Sequence, residues 1–311
     1  MNEAPRHVVG LIGADIAPSL SPALHEREAD ELGLRYVYER IDISTLGLSA
    51  ERVGELIRAA HQLGYSGLNI THPCKQTAVE HLDALSSDAQ TLGAVNTVVF
   101  GGGQAVGHNT DWPAFQESFV RGLPDVETRK VVVVGAGGAG SAVAHALLSL
   151  GAERLVVVDV NSQRAAALAA SLCEHHGPDR AGVSEDLAAA LADAEGLVHA
   201  TPTGMAASPR LPFESDLLRE ELWVAEVVYR PLETELLRHA RRLGCRTLDG
   251  GAMAVFQAAL SYALFTGIEP NRERMLRHFA ELAEDDPAGA ASAPLLASPR
   301  ASLDSNTEER P

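Results

Sequence analysis

The most constraining feature of the chain is the run Lys-Val-Val-Val-Val at residues 130–134, which leads into Gly135-Ala136-Gly137-Gly138-Ala139-Gly140 and then an alanine- and leucine-rich stretch to Leu150. An unbroken β-branched run is what a strand covered on both faces looks like in sequence, and the stretch to Leu150 reads as a helix. The next apolar run, residues 155–158, ends at Asp159, 19 residues past Gly140. A strand, a glycine-rich turn, a helix and a second strand closing on a carboxylate at about that distance describe a βαβ unit for a dinucleotide. Gly135 permits the tight turn, and Gly137 lets backbone approach a pyrophosphate. The helix N-terminus offers that anion unpaired N–H groups and a positive dipole end. The expected cofactor-facing residues of this unit are therefore Gly135, Ala136, Gly137, Gly138, Ala139, Gly140 and Asp159.

The same unit speaks to which dinucleotide. A carboxylate at 159 accepts hydrogen bonds from both adenosine ribose hydroxyls and repels a 2′-phosphate. No basic pair follows in Asp159-Val160-Asn161-Ser162-Gln163-Arg164. NAD is the expected cofactor, with NADP the alternative if Arg164 accommodates a phosphate rather than pairing with Asp159 or lying against the adenine.

Further strand candidates at 196–200, 222–228 and 246–248, with helical patterns between them, extend the unit to a parallel sheet. The first half has a different texture. A strand at 7–12 precedes a helix over 22–32, for which Ser21 is placed as N-cap and Pro22 at the first helical position. A strand at 36–41, a helix at 49–63, a strand at 67–70 and a hairpin over 97–107 around glycines 101 to 103 follow. The expected fold class is α/β with two domains: a mixed α/β substrate-binding and catalytic domain over 7–112, completed by 252–282, and a Rossmann-type doubly wound parallel sheet over 124–249. Residues 281–311 hold seven acidic and two basic side chains and four prolines. The tail 285–311 is expected to be disordered, with Leu295 and Leu296 its only apolar docking candidates.

Composition narrows the function. Acidic residues exceed basic ones by 42 to 25, a formal charge of −17, which disfavours nucleic acid and anionic membranes as partners while leaving room for a small anion in a local pocket. Cys74, Cys173 and Cys245 are odd in number and lack CxxC spacing, so reduced thiols are expected; the 12 histidines show no zinc spacing, and no metal is expected. The sequence starts without a basic segment followed by an apolar core, and no apolar run is long enough for a bilayer span, which points to a cytoplasmic protein.

Four polar clusters fall where strand patterns end: Ser19-Leu20-Ser21-Pro22, Asn69-Ile70-Thr71-His72-Pro73-Cys74-Lys75, Gly93-Ala94-Val95-Asn96-Thr97 and Gly107-His108-Asn109-Thr110-Asp111. Together with Tyr229 and Gln257, they resemble the shikimate dehydrogenase family, including its NAD-using quinate/shikimate branch, over roughly residues 7–282. The resemblance implies that Ser19, Ser21 and Tyr229 hold a substrate carboxylate and that Lys75 and Asp111 form the catalytic pair that also touches substrate. It implies that Asn69, Thr71, Asn96 and Gln257 hydrogen-bond ring hydroxyls. It further implies that Thr201, Pro202, Thr203, Gly204, Met205, Val227 and Gly250 line the nicotinamide side.

The chemistry of these side chains fits those roles. Hydroxyls donate to a carboxylate without adding charge, and amides serve a polyol as donor and acceptor. A lysine held against a carboxylate is a reasonable acid/base unit for interconverting alcohol and ketone. The family often has aspartate where Glu226 stands and asparagine where His199 stands; His199 reads as a packed strand-end residue, and Cys74 as a bystander thiol beside Lys75. The Asp-Val-Asn-Ser after the second strand departs from the Asn-Arg-Thr typical of NADP-using biosynthetic members.

The implied substrate is a cyclic polyhydroxy acid: shikimate, quinate or their dehydro forms, handled by a monomer or homodimer. Alternatives are an aminoshikimate dehydrogenase of the same superfamily, a non-catalytic regulatory protein that binds NAD or quinate, and a dehydrogenase for an unrelated small acid. The intact Lys75 and Asp111 argue against the regulator. The paired serines with Asn96, Asp111 and Gln257 argue against an unrelated acid.

Overall fold

The strand-rich segments of the two halves build separate six-stranded sheets, as a computed structural model describes over residues 6–206 and 208–284. The tail from 285 onward, with its expected disorder and with Leu295 and Leu296, lies outside the described residues.

The first half runs β1 (Arg6–Gly13), α1 (Ser21–Glu31), β2 (Arg35–Asp42), α2 (Val53–Gln62), β3 (Gly67–Ile70), β4 (Ala84–Leu85), α3 (Ser87–Leu92), β5 (Thr97–Gly101) and β6 (Gln104–His108). Its sheet has the order β2-β1-β3-β5-β6-β4. β1 pairs parallel with both β2 and β3, whereas β5 is antiparallel to β3 and β6. The predicted hairpin turns on Gly102 and Gly103, both at positive φ (59° and 79°), the conformation a two-residue turn requires.

Helix α4 (Asp111–Gly122) leads to the second half. There follow β7 (Lys130–Val134), α5 (Gly138–Ser149), β8 (Arg154–Val158), α6 (Ser162–His176), β9 (Ala181–Val183), α7 (Leu187–Leu191), β10 (Gly196–His199), β11 (Trp223–Glu226), α8 (Glu235–Arg242) and β12 (Thr247–Leu248). The order β12-β11-β10-β7-β8-β9, parallel at every pairing, is the doubly wound arrangement, with its switch point between β7 and β10. The chain then returns as α9 (Gly251–Thr266) and α10 (Arg272–Glu284). α9 is apolar on nearly all sides, with Phe256, Tyr262 and Phe265 buried, because it is wrapped by α4, α10 and the first sheet.

Several local expectations are corrected. Ser21 does not cap α1: the cap position is Leu20, Ser21 opens the helix, and the Ser21 N–H donates to Ser19 Oγ at 3.3 Å. The expected helix at 49–63 begins as a 3-10 turn, Ala50–Arg52, before α2. β4, α3, β9 and α4 were not anticipated. The first three are too short to show a period, and most of α4 falls between the two expected domain ranges. α4 is amphipathic all the same, burying Phe115 and Phe119 in the largest apolar cluster.

One buried ion pair ties the returning helices to the first half. Glu28 of α1 is fully buried and accepts from Arg274 of α10 at 2.7 and 2.9 Å and from the Asn271 N–H at 2.8 Å. Removing one partner strands a charge in the interior, which typically costs several kcal/mol. Arg274→Ala is expected to lower unfolding free energy in urea by about 3 kcal/mol, toward the low end because the arginine is partly exposed. A loss under about 1 kcal/mol would mean that Glu28 finds other donors.

Candidate active site

The loop after β3 carries Thr71 and Lys75, and the start of α4 carries Asp111. Backbone bonds fix the loop: the Thr71 N–H donates to the Ile12 carbonyl at 2.9 Å, Cys74 N–H to Thr71 at 2.8 Å, and Val95 N–H to Lys75 at 2.9 Å. Lys75 Nζ then lies 2.5 Å from Asp111 Oδ2, with the two side chains 19% and 7% exposed. Asp111 is the first residue of α4, where the positive end of the helix favours its negative charge. Its N–H donates to Asn109 Oδ1 at 3.0 Å, and its Oδ1 accepts from Asn96 Nδ2 at 2.9 Å.

The amides around this pair are largely committed to the protein. Asn96 Nδ2 donates to Thr110 Oγ1 and to Asp111, while its Oδ1 accepts from the Thr110 N–H at 2.8 Å. In this arrangement it holds Asp111 and has no amide hydrogen left over. Asn69 donates to the Asn96 carbonyl and to Thr97 Oγ1, and accepts from the Tyr38 hydroxyl at 2.7 Å, so a lone pair on Oδ1 is what it retains. Gln257 enters through its carbonyl, which accepts from Thr110 Oγ1 at 3.3 Å; its side-chain amide donates to the Ala254 carbonyl. Cys74 is fully buried and burial pushes its thiol up to about 11, so it stays protonated beside Lys75.

A second group forms around Ser19 and Tyr229, where the serine hydroxyl acts on the phenol. Burial raises the Tyr229 hydroxyl above its ordinary value and the serine opposes this in part, so the phenol is neutral at pH 7. The loop carrying Ser19 and Ser21 is pinned by cations: Arg40 donates to the Ser19 carbonyl at 2.8 Å, and Arg230 donates to that of Pro18. Both guanidinium groups therefore hold the backbone that leads into Ser19 and Ser21. Arg40→Met and Arg230→Met are each expected to raise KM for a carboxylate substrate about fivefold with little change in kcat, since one hydrogen bond of about 1 kcal/mol is lost from the loop. Steady-state kinetics at two salt concentrations check this; an unchanged KM would leave the arginines a purely structural part.

In the second sheet, the glycine-rich turn joins β7 to α5. Gly135 has φ +110°, and a Cβ on Gly140 would fall 1.9 Å from the Gly135 carbonyl oxygen, so turn and helix can pack only without those side chains. A Cβ on Gly137, the N-cap of α5, would meet nothing within 4 Å, which leaves its outer side open to a ligand. Asp159 closes β8: its Oδ2 accepts from the Ala136 N–H at 2.7 Å and its Oδ1 from the Asn161 N–H at 2.8 Å, each oxygen keeping a further lone pair. Arg164 is exposed in the first turn of α6. Beyond β10, Thr201, Pro202, Thr203, Gly204 and Met205 form a turn, and Gly250 lies against the Val227 carbonyl, where a Cβ would approach to 2.4 Å. An open helix N-terminus, a carboxylate at the end of the second strand and these turns at the switch point fit a dinucleotide such as NAD(P).

The two halves meet at the chemistry: a Cβ on Gly138 would lie 3.4 Å from Lys75 Cδ. The sequence assigns no role to Tyr38, Arg40 or Arg230, and it gives none to Thr97, Asn109 or Thr110 beyond their place in the polar clusters. Tyr38 and Arg40 stood in a recognised alternating strand, but nothing local to it names their distant partners.

A doubly wound dinucleotide fold whose glycine-rich turn abuts a lysine–carboxylate pair defines an NAD(P)-dependent oxidoreductase. Comparison with known proteins narrows the class. A family model described as the shikimate dehydrogenase substrate binding domain matches residues 11–98, and one described as shikimate / quinate 5-dehydrogenase matches residues 118–208. A shikimate dehydrogenase (NADP(+)) of Streptomyces avermitilis is 62% identical over 89% of this chain and 96% of its own length. A quinate/shikimate dehydrogenase (NAD(+)) of Corynebacterium efficiens is 48% identical over 88% of this chain and 98% of its own. Among solved structures, quinate dehydrogenase from Corynebacterium glutamicum in complex with NAD superposes with a TM-score of 0.82 at 43% identity, covering 89% of this chain and 99% of that one. The chain belongs to the shikimate dehydrogenase family.

Proposed function

We propose that this protein catalyses the reversible oxidation of shikimate to 3-dehydroshikimate, with NAD preferred over NADP and quinate as a second substrate. The observation that carries the reading is the Lys75–Asp111 contact of 2.5 Å, oriented by Asn96 and set beside the first turn of α5. The domain boundaries proposed are 7–112 with 252–282 for substrate and 124–249 for the dinucleotide.

When bound, the nicotinamide supplies the hydride acceptor. The protein's work is binding, orientation and proton transfer. Lys75 and Asp111 act as one unit that removes the proton from the hydroxyl being oxidised and returns it in the reverse direction. Ser19, Ser21 and Tyr229 hold the carboxylate. Asn69, through its remaining lone pair, Thr71 and the Gln257 amide meet ring hydroxyls, and Asn96 keeps Asp111 aimed. The Ala136 and Asn161 N–H groups hold the Asp159 carboxylate at the end of β8, and a carboxylate there supports NAD even though a relative at 62% identity is named for NADP(+).

The test is initial-rate measurement with NAD and NADP against shikimate and quinate at matched concentrations. Turnover of shikimate with NAD favoured at least tenfold is expected. Preference for NADP would overturn the cofactor reading, and no turnover of either acid would overturn the substrate reading.

A further inference from the structure

Two residues flagged separately in the sequence, His199 and Glu226, turn out to be partners. They end adjacent parallel strands, β10 and β11, in direct register, and both side chains are fully buried. His199 Nδ1 lies 2.9 and 3.0 Å from the two carboxylate oxygens of Glu226. That carboxylate also accepts from the Val228 N–H at 3.0 Å and from Thr234 Oγ1 at 3.2 Å. On the far side of the ring, His199 Nε2 is 2.6 Å from Thr201 Oγ1, which accepts in turn from the Thr203 N–H at 3.2 Å.

The Glu226 oxygens that also accept from Val228 and Thr234 face His199 Nδ1, which donates to them, while Nε2 shares a hydrogen bond with the Thr201 hydroxyl. The network joins two walls that lie far apart in sequence. One is the Thr201–Gly204 turn. The other is the segment after β11, where Glu226 holds the Val228 backbone immediately before Tyr229 and where Gly250 packs against the Val227 and Val228 carbonyls. A buried polar network with every member satisfied locks the parts it joins into one geometry.

We propose that His199 and Glu226 are a positioning pair for the reaction proposed above: they clamp the Thr201–Gly204 turn to the Val227–Tyr229 segment and so preorganise the nicotinamide end of the cofactor cleft. Neither touches the reacting atoms. The inference rests on the reading that Thr201 to Met205 face the nicotinamide, and the experiment separates the two.

Glu226→Gln, His199→Phe, Thr201→Val and Thr201→Ser would be compared with wild type for NADH affinity by fluorescence titration, using NADPH if that is what the wild type turns over. ADP, which reaches only the adenosine half, would be measured as a competitive inhibitor. Glu226→Gln, His199→Phe and Thr201→Val are each expected to weaken NADH binding about tenfold while leaving ADP within about twofold. Thr201→Ser, which keeps the hydroxyl, should recover most of the affinity that Thr201→Val loses. The His199→Phe/Glu226→Gln double variant should be no weaker than the singles, because they remove one unit. Thr201 is only partly buried, so its variants keep the test open if the strand-end variants fail to fold. Equal losses for NADH and ADP would mean general damage to the sheet and would overturn the proposal. Loss in Thr201→Val without loss in Glu226→Gln would sink the clamp alone. Unchanged NADH binding in Thr201→Val would sink the nicotinamide assignment itself.

Discussion

Lys75→Ala is expected to lower kcat by about 10³ while leaving the NADH dissociation constant within twofold of wild type. General acid–base groups contribute about 10² to 10⁴, and the proposed proton-transfer unit is a single contact of 2.5 Å. The substitution keeps Cβ, so the packing beside Gly138 is only partly relieved and the glycine-rich turn is not moved. Asp111→Asn should cost a similar factor, and the double variant little more than either single, because groups acting together are non-additive. Single-turnover rates with shikimate, alongside nucleotide titration, check each step. A Lys75→Ala enzyme within tenfold of wild-type kcat would remove the pair from the chemistry.

Asp159→Ala is expected to raise KM for NAD at least tenfold, improve use of NADP, and so shift the ratio of specificity constants by about two orders of magnitude. Two effects are lost together: acceptors for the ribose hydroxyls and repulsion of a 2′-phosphate. A third consequence has to be separated from them, because Asp159 also holds the Ala136 and Asn161 N–H groups. Asp159→Asn keeps one carbonyl oxygen for the backbone and removes the charge. If charge decides, Asn and Ala variants move the NADP rate alike. If the loop anchor decides, the Ala variant loses affinity for both cofactors and the Asn variant for neither. A cofactor ratio unchanged in both variants would end the role of Asp159 in selection.

These expectations were legible to different depths. The second sheet could be read from the chain because its signals are local: Val131 to Val133 are buried as an apolar run predicts, and Gly135, Gly140 and Asp159 sit where their own stretch of backbone requires them. Lys75 and Asp111 were singled out together only because several motifs matched a family jointly. The spacing between them carries no geometric information.

Where a residue's meaning depends on a distant partner, the sequence was silent or misleading. Ser21 beside Pro22 reads as a cap, yet the helix starts one residue earlier because Leu20 is already in the helical conformation. Asn96 reads as a contact for ring hydroxyls, and nothing in the sequence says that its amide also holds Thr110 and Asp111. His199 and Glu226, 27 residues apart, became one unit only when β10 and β11 paired in register. The chain by itself determined strands, turns and the nucleotide unit, because period, glycine placement and apolar runs act over a few residues. Tertiary structure alone decided which polar side chains hold one another, because strand order and register bring together atoms that no local pattern relates.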